Sequence, residues 1–340
     1  MTDQQQELLE KLIKESDTIV CTCHQNPDGD ALGACLAWAE VLKAAYGKEV
    51  QIFVPDQYPD YLQWLPNSDK IIRYDKHREG CDFFLKTADL VFCLDFNTAS
   101  RTADMESALC GSPAKKVLID HHPNPTVDTV ITISHPEASS TCELVFRVVW
   151  QLGCFEALGK HFAAPVYCGM MTDTGGFTYN SSDPDIFFII SQLLTKRINK
   201  DKIYRQVYHN FSENRMRLMG YVMYERLVVD AAHHASYFTI SRDDMKRFQF
   251  IKGDAEGLVN MPLQIKGHKL SISLREDTEK DNFVWVSLRS VDTFPCNEMA
   301  ARFFNGGGHL NASGGRLNCS LQEAVTITQQ AIKAFEKELA

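Results

Sequence analysis

Thr18-Ile19-Val20-Cys21-Thr22-Cys23 runs into His24-Gln25-Asn26-Pro27-Asp28-Gly29-Asp30, and Ala31 then opens a helical pattern that lasts to Ala45. The first six residues are apolar and β-branched, as in a short buried strand. Pro27 and Gly29 punctuate a polar turn behind it. The same alternation continues outward. Residues 4–15 read as an amphipathic helix, and residues 50–54, 88–94 and 116–119 as short strands that end at polar residues. Strands alternating with helices predict an α/β fold, with a mostly parallel sheet covered by helices on both faces. In such sheets ligands bind beyond the carboxyl ends of the strands.

Four separated stretches place acidic and imidazole groups behind apolar, strand-like runs. They are His24 with Asp28 and Asp30, Asp95 after residues 90–94, Asp120-His121-His122 after residues 117–119, and Asp173 after Gly169-Met170-Met171-Thr172. Parallel strands deliver their ends to one edge, so groups distant in sequence are expected to converge there. Gly29 is expected to make a tight turn that aims Asp28 and Asp30 into one pocket. Gly175 and Gly176 are expected to let the backbone approach a ligand. Several carboxylates without a basic cluster repel one another, and divalent cations relieve that repulsion. Carboxylate and imidazole donors without thiolate suit Mn²⁺, with Mg²⁺ the alternative. Two ions about 3.5–4 Å apart would activate water and stabilise both oxygens of a phosphoryl displacement.

Residues 185–226 read as mostly helical. Beyond them, residues 235–240, 269–274 and 283–288 are strand-like, residues 297–304 and 321–339 helical, and residues 305–315 rich in glycine. The 340-residue chain is thus expected to divide into residues 1–190, an α/β domain with the candidate metal ligands; 191–226, a helical connector; and 227–340, a smaller mixed α/β domain expected to bind substrate. Gly306-Gly307-Gly308-His309, with Asn311 and Ser313 behind it, offers backbone N–H groups that a phosphate can approach closely.

The formal charge of −9 and the lack of a long Lys/Arg run disfavour sequence-independent binding of duplex DNA. No run of 18 apolar residues is present, and residues 1–17 lack a secretory h-region. The eleven cysteines, none at C-x-x-C spacing, suit a reducing compartment. A cytoplasmic protein without membrane contact is expected, and Cys21 and Cys23 are read as buried strand packing rather than zinc ligands.

With these residues in view, the chain resembles the DHH phosphoesterase superfamily. Asp120-His121-His122 supplies the name-giving triplet, and His24, Asp28 and Asp30 supply H-x-x-x-D-x-D. The resemblance implies that His24, Asp28 and Asp95 hold one metal ion, and that Asp30, Asp95, His121 and Asp173 hold the second, with Asp95 bridging. It further implies that Asp120 orients His121, and that His122 contacts the scissile phosphate or assists proton transfer. The G-G-G-H stretch and Ser287-Leu288-Arg289-Ser290 resemble the DHHA1 domain. By that likeness Arg289, Gly307, Gly308, His309 and Ser313 bind substrate, with Arg289 gripping a phosphate bidentately, and residues 256–260 lie near the nucleotide. The paired domains resemble small bacterial enzymes that degrade nano-RNA and dephosphorylate 3′-phosphoadenosine 5′-phosphate (pAp). The implied partners are short single-stranded RNA or DNA oligonucleotides or small nucleotides, held in a cleft between the domains. Relatives of this kind also form homodimers. Phosphodiesterase action on cyclic or linear dinucleotides is the alternative activity, and a non-catalytic nucleotide sensor the reading from another class.

Overall fold

The computed structural model describes residues 1–251 and 253–340. Two compact units divide it, Met1–Asn210 and Phe211–Ala340. The strands of the first unit are β1 (Ile19–Thr22), β2 (Val50–Val54), β3 (Ile71–Arg73), β4 (Leu90–Leu94), β5 (Lys115–Asp120) and β6 (Ile131–Ser134). They form one sheet in the order β3-β2-β1-β4-β5-β6, and every pair is parallel. The order reverses between β1 and β4, which is where ligands bind in doubly wound sheets. The helices are α1 (Asp3–Glu15), α2 (Gly29–Tyr46), α3 (Tyr74–Thr87), α4 (Glu106–Cys110), α5 (Thr141–Gln151), α6 (Lys160–Asp173), α7 (Pro184–Thr195) and α8 (Lys200–Tyr208).

Both faces of the sheet are covered, as its uninterrupted apolar strands require. Cys21, Phe92 and Ile119 join the larger core with α2, α5 and α6. Val20, Val91 and Leu118 point the other way, into a core with Tyr74, Leu85 and Leu109. Cys21 and Cys23 are buried in the larger core together. Helices α2 and α6 approach through glycine. A Cβ on Gly33 would lie 2.6 Å from the Pro165 carbonyl oxygen, and one on Gly29 would enter the Thr172 side chain. Gly29 therefore serves helix packing behind the site, in the first turn of α2.

Asp173 corrects the expectation that all four site stretches follow strands. It is the last residue of α6. That helix is buried from Phe162 through Met171, so its end lacks the apolar-polar periodicity that marks an amphipathic helix.

The helical stretch between the domains is shared. Helices α7 and α8 bury Ile186, Ile189, Leu193, Ile203 and Val207 in the first unit's core. Helix α9 (Glu213–Tyr221) buries Leu218 in a core of the second unit with Phe238 and Ile240. The second unit also contains α10 (Arg242–Arg247), α11 (Cys296–Phe303), α12 (Leu321–Ala334) and α13 (Glu336–Leu339). Its sheet is mixed, in the order β11-β12-β10-β9-β8-β7. Its strands are β7 (Val228–Asp230), β8 (Ala235–Ile240), β9 (Leu270–Glu276), β10 (Val284–Ser290), β11 (Gly307–His309) and β12 (Ala312–Leu317). The glycine stretch, expected as a loop, is a β-hairpin: Gly307 pairs with Gly314, Gly308 with Ser313 and His309 with Ala312. Among the described residues no helix is long and apolar enough to cross a membrane.

Candidate metal centre

Strand ends and helix starts around the β1–β4 switch point build the site. His24 lies just past β1, Asp28 caps α2, Asp95 follows β4, Asp120 ends β5, and His121 and His122 come next. The Asp28 carboxylate accepts the amides of Asp30 and Ala31, both at 3.0 Å. The cap thereby fixes where α2 begins and turns Asp30 inward. Asp30 and Asp95 are 1% and 2% exposed. Asp95 has φ +65°, a left-handed conformation uncommon outside glycine.

Asp95 has two faces. Its Oδ2 lies 3.4 Å from His24 Nε2, and its Oδ1 lies 3.6 Å from His121 Nε2. Asp28 stands 3.8 Å from the first imidazole. Asp30 and Asp173 stand 3.9 and 3.3 Å from the second. The site thus contains three donor groups that share the Asp95 carboxylate: His24, Asp28 and Asp95; Asp30, Asp95 and His121; and Asp95, Asp120 and His122. Each could hold a metal ion. All six sequence-nominated ligands come together in the first unit.

The imidazoles are aimed as ligands. His24 Nδ1 donates to the Gln25 carbonyl at 2.7 Å, and His121 Nδ1 to the Ala138 carbonyl at 3.2 Å. With Nδ1 as donor, the neutral ring offers its Nε2 lone pair to the pocket. His121 is thus oriented by Ala138, a correction to the role expected of Asp120. Asp120 instead holds His122, with 2.7 Å between Oδ1 and Nδ1.

The charges fit a cation. Burial raises the Asp30 pKa well above the usual range, and the neighbouring Asp95 and Asp173 charges add to it. Burial also opposes the charge on Asp95, but the hydrogen bond with His24 and the His122, His24 and His121 charges hold its carboxyl well below the ordinary value. For His24, burial works to lower the pKa. The Asp95 hydrogen bond and the Asp28 and Asp95 charges outweigh it, pushing the group up to about 9. The raised Asp30 and His24 values show that the pocket favours added positive charge, which a bound divalent ion would supply.

Sequence reasoning missed Thr141. Its hydroxyl donates to Asp95 Oδ1 at 2.8 Å, its amide to Asp30 Oδ2 at 2.7 Å, and the Cys142 amide to Asp30 Oδ1 at 2.9 Å. Asp30 thus sits on the N-terminus of α5, where the helix dipole favours an anion. Ser140, which caps that helix by accepting the Glu143 amide, was the available signal, because Ser followed three residues later by Glu marks a helix start.

In the second unit, Arg289 lies on β10 opposite Ala312 of the hairpin, and its Nη1 donates to the Leu288 carbonyl at 2.8 Å. The buried Ser313 hydroxyl donates to the His309 carbonyl at 2.8 Å and braces the hairpin. A Cβ on Gly308 would lie 2.6 Å from the Ala312 carbonyl oxygen, whereas one on Gly307 would meet nothing within 4 Å. Leu258 and Val259, within the stretch expected near a nucleotide, are buried in the core with Phe238.

Residues 18–170 match the DHH family, N-terminal domain. The chain is similar to a probable bifunctional oligoribonuclease and PAP phosphatase NrnA of Streptococcus mutans. That relative is 30% identical over 321 residues, covering 94% of this chain and 95% of the relative. A bifunctional oligoribonuclease and PAP phosphatase NrnA of Bacillus subtilis is 26% identical, covering 88% of each chain. Among solved structures, an exopolyphosphatase-related protein from Bacteroides fragilis superposes with a TM-score of 0.94 at 46% identity, covering 99% of this chain and 98% of that one.

Proposed function

The chain belongs to the DHH family and is a hydrolytic phosphoesterase, and from that premise we propose that it hydrolyses short oligoribonucleotides, pAp, or both, to mononucleotides. The observation that carries this reading is the shared carboxylate, since Asp95 offers one oxygen to the His24 group and the other to the His121 group. In this reading His24, Asp28 and Asp95 hold one divalent cation, and Asp30, Asp95, His121 and Asp173 the other. Mn²⁺ suits the donors best, with Mg²⁺ second. When bound, such a pair supplies Lewis-acid activation of water and of the phosphoryl group.

The protein's own groups do the rest. Thr141 and the start of α5 hold Asp95 and Asp30 in place by the three hydrogen bonds given above. Asp120 keeps the proton on His122 Nδ1, and His122 Nε2 exchanges a proton with the substrate. In the second unit Arg289 takes a phosphate bidentately, while the backbone of Gly307, Gly308 and His309 lines the approach. Ser313 supports that approach by fixing the His309 carbonyl.

Support for nucleotide substrates comes from the names of the 30% and 26% identical relatives. The Bacteroides fragilis structure carries a different one, exopolyphosphatase-related. The deciding experiment is a product assay with Mn²⁺ on pAp, a dinucleotide, a five-nucleotide RNA, a cyclic dinucleotide and polyphosphate. Mononucleotides released from the short RNAs, or AMP from pAp, are expected. Turnover of polyphosphate alone, or of the cyclic dinucleotide alone, would overturn the reading.

A further inference from the structure

Behind Asp173 the chain makes a turn that metal binding does not require. Gly175, Gly176 and Phe177 have φ of +55°, +74° and +65° in succession. For phenylalanine that conformation costs about 1–3 kcal/mol and persists only where the surroundings fix it. The Thr178 and Tyr179 amides return to the Thr174 carbonyl at 2.9 and 3.2 Å, which folds Tyr179 back over the end of α6.

Aromatic rings crowd against this turn. A Cβ on Gly175 would run into the Tyr179 ring, and one on Gly176 would lie 3.5 Å from Tyr204 and 3.9 Å from Tyr208. Tyr208 Oη donates to the Met171 carbonyl at 3.1 Å, two residues before Asp173. The Tyr204 and Tyr208 rings are 4.9 Å apart, and His209 stands edge-on to Tyr204 at 5.3 Å. Tyr208 is half-buried and tied down, but Tyr179 and Tyr204 are 45% and 42% exposed. Tyr179 and Tyr204 thus each leave part of their surface open to solvent next to the turn that follows Asp173. Gly175 leaves the room that the Tyr179 ring fills, whereas at Gly176 the left-handed backbone, not the rings, favours glycine.

Resting on the nucleotide reading above, we propose that Tyr179 and Tyr204 form a stacking surface for a nucleobase of the substrate. Stacking suits an enzyme that accepts different bases, because every base has a π-face. A bare phosphate chain has no use for such a surface, so the tyrosines also separate nucleotide from polyphosphate as the substrate class. Tyr208 positions Tyr204 from behind by ring contact and by its bond to Met171.

The test is a cycle between protein and substrate. Tyr204→Ala and Tyr179→Ala are assayed with Mn²⁺ on a ribodinucleotide and on the same compound with one base removed, each of the two positions in turn. Loss of a stacked base should raise KM about tenfold or more for the intact dinucleotide. It should leave at least one abasic compound unchanged, and Tyr204→Phe and Tyr179→Phe should retain the wild-type KM. Equal losses on intact and abasic compounds, or no loss on either, would overturn the inference. Binding of AMP, measured by calorimetry on the wild type and both alanine variants, reads the stacking without turnover. A Kd raised about tenfold in a variant supports the surface even if the wild type hydrolyses no dinucleotide, and an unchanged Kd in both overturns it. Failure of the oligonucleotide reading and failure of the stacking surface thus give different results.

Discussion

Asp95 and Gly308 both have positive φ, +65° and +142°, and each lies in a motif of its unit, yet the fold uses them in opposite ways. At Gly308 the backbone conformation and the close approach of Ala312 leave room for hydrogen only; the residue answers a packing demand of the hairpin. At Asp95 a side chain is kept in a conformation that glycine would adopt at less cost, because both of its oxygens are engaged. In the first unit chemistry dictates the residue and the backbone accepts the strain. In the second, much of the motif is dictated by the hairpin itself, and only some positions are left for a ligand to explain.

The largest effect expected from that contrast is at Asp95. Asparagine tolerates left-handed backbone and keeps the shape, but it removes the charge that the donor groups share. Asp95→Asn should lower Mn²⁺-dependent kcat by about 10³-fold or more, the scale of losing several kcal/mol of metal-based charge stabilisation. Thermal unfolding of the metal-free protein should shift little, since repulsion with Asp30 is relieved as the contacts to His24 and His121 weaken. A variant with near-normal turnover would remove Asp95 from the chemistry and erase the contrast.

A pH series sharpens the electrostatic side. The folded-state pKa of His24, about 9, is above its unfolded value of about 6.5. Its contribution to the stability of the metal-free protein is therefore complete below about pH 6.5 and is lost as pH rises through 9. Asp30, whose pKa is also raised, acts in the same direction. Metal binding has the opposite dependence, because His24 must give up its proton to become a ligand. Mn²⁺ affinity should rise with pH between about 6.5 and 9, and calorimetry in buffers of different ionisation enthalpy should detect proton release. Binding without proton release at pH 7.5 would show that His24 is not a ligand. No corresponding pH dependence is expected from the second unit's glycines.

How much of this was legible in the sequence follows from the same division. The six candidate ligands could be picked out because carboxylate and imidazole groups recur just behind unbroken apolar runs, at the ends of β1, β4 and β5 and of the buried helix α6. What could not be read depends on three-dimensional neighbours. Whether Asp120 serves His121 or His122 is decided by which ring nitrogen faces the Ala138 carbonyl. The end of α6 looked like a strand because a helix buried all round loses its polar stripe. The hairpin at 307–317 was hidden because Leu310-Asn311 between its strands is not among the glycine-containing pairs that signal a two-residue turn. Thr141 lay outside every acidic motif, although its helix cap was written in Ser140 and Glu143.

The smallest expected effect separates two adjacent glycines. Gly307 and Gly308 look equivalent in sequence, and the likeness to phosphate-binding loops treats them alike. Gly308→Ala would force a Cβ to within 2.6 Å of the Ala312 carbonyl and 2.9 Å of the Ser313 Cα, and would place alanine at a positive φ. It should destabilise the second unit by about 1–3 kcal/mol, visible in thermal unfolding. Gly307 has neither constraint: its φ is not positive and a Cβ there meets nothing within 4 Å. Gly307→Ala should therefore leave the unfolding curve unchanged within about 0.5 kcal/mol. If a phosphate approaches the backbone at this point, the same methyl group should raise KM a few-fold with kcat preserved, the pattern of lost ground-state binding. Unchanged KM in a stable Gly307→Ala protein would mean that the substrate does not pass over this strand, and that the hairpin's glycines are explained by folding alone.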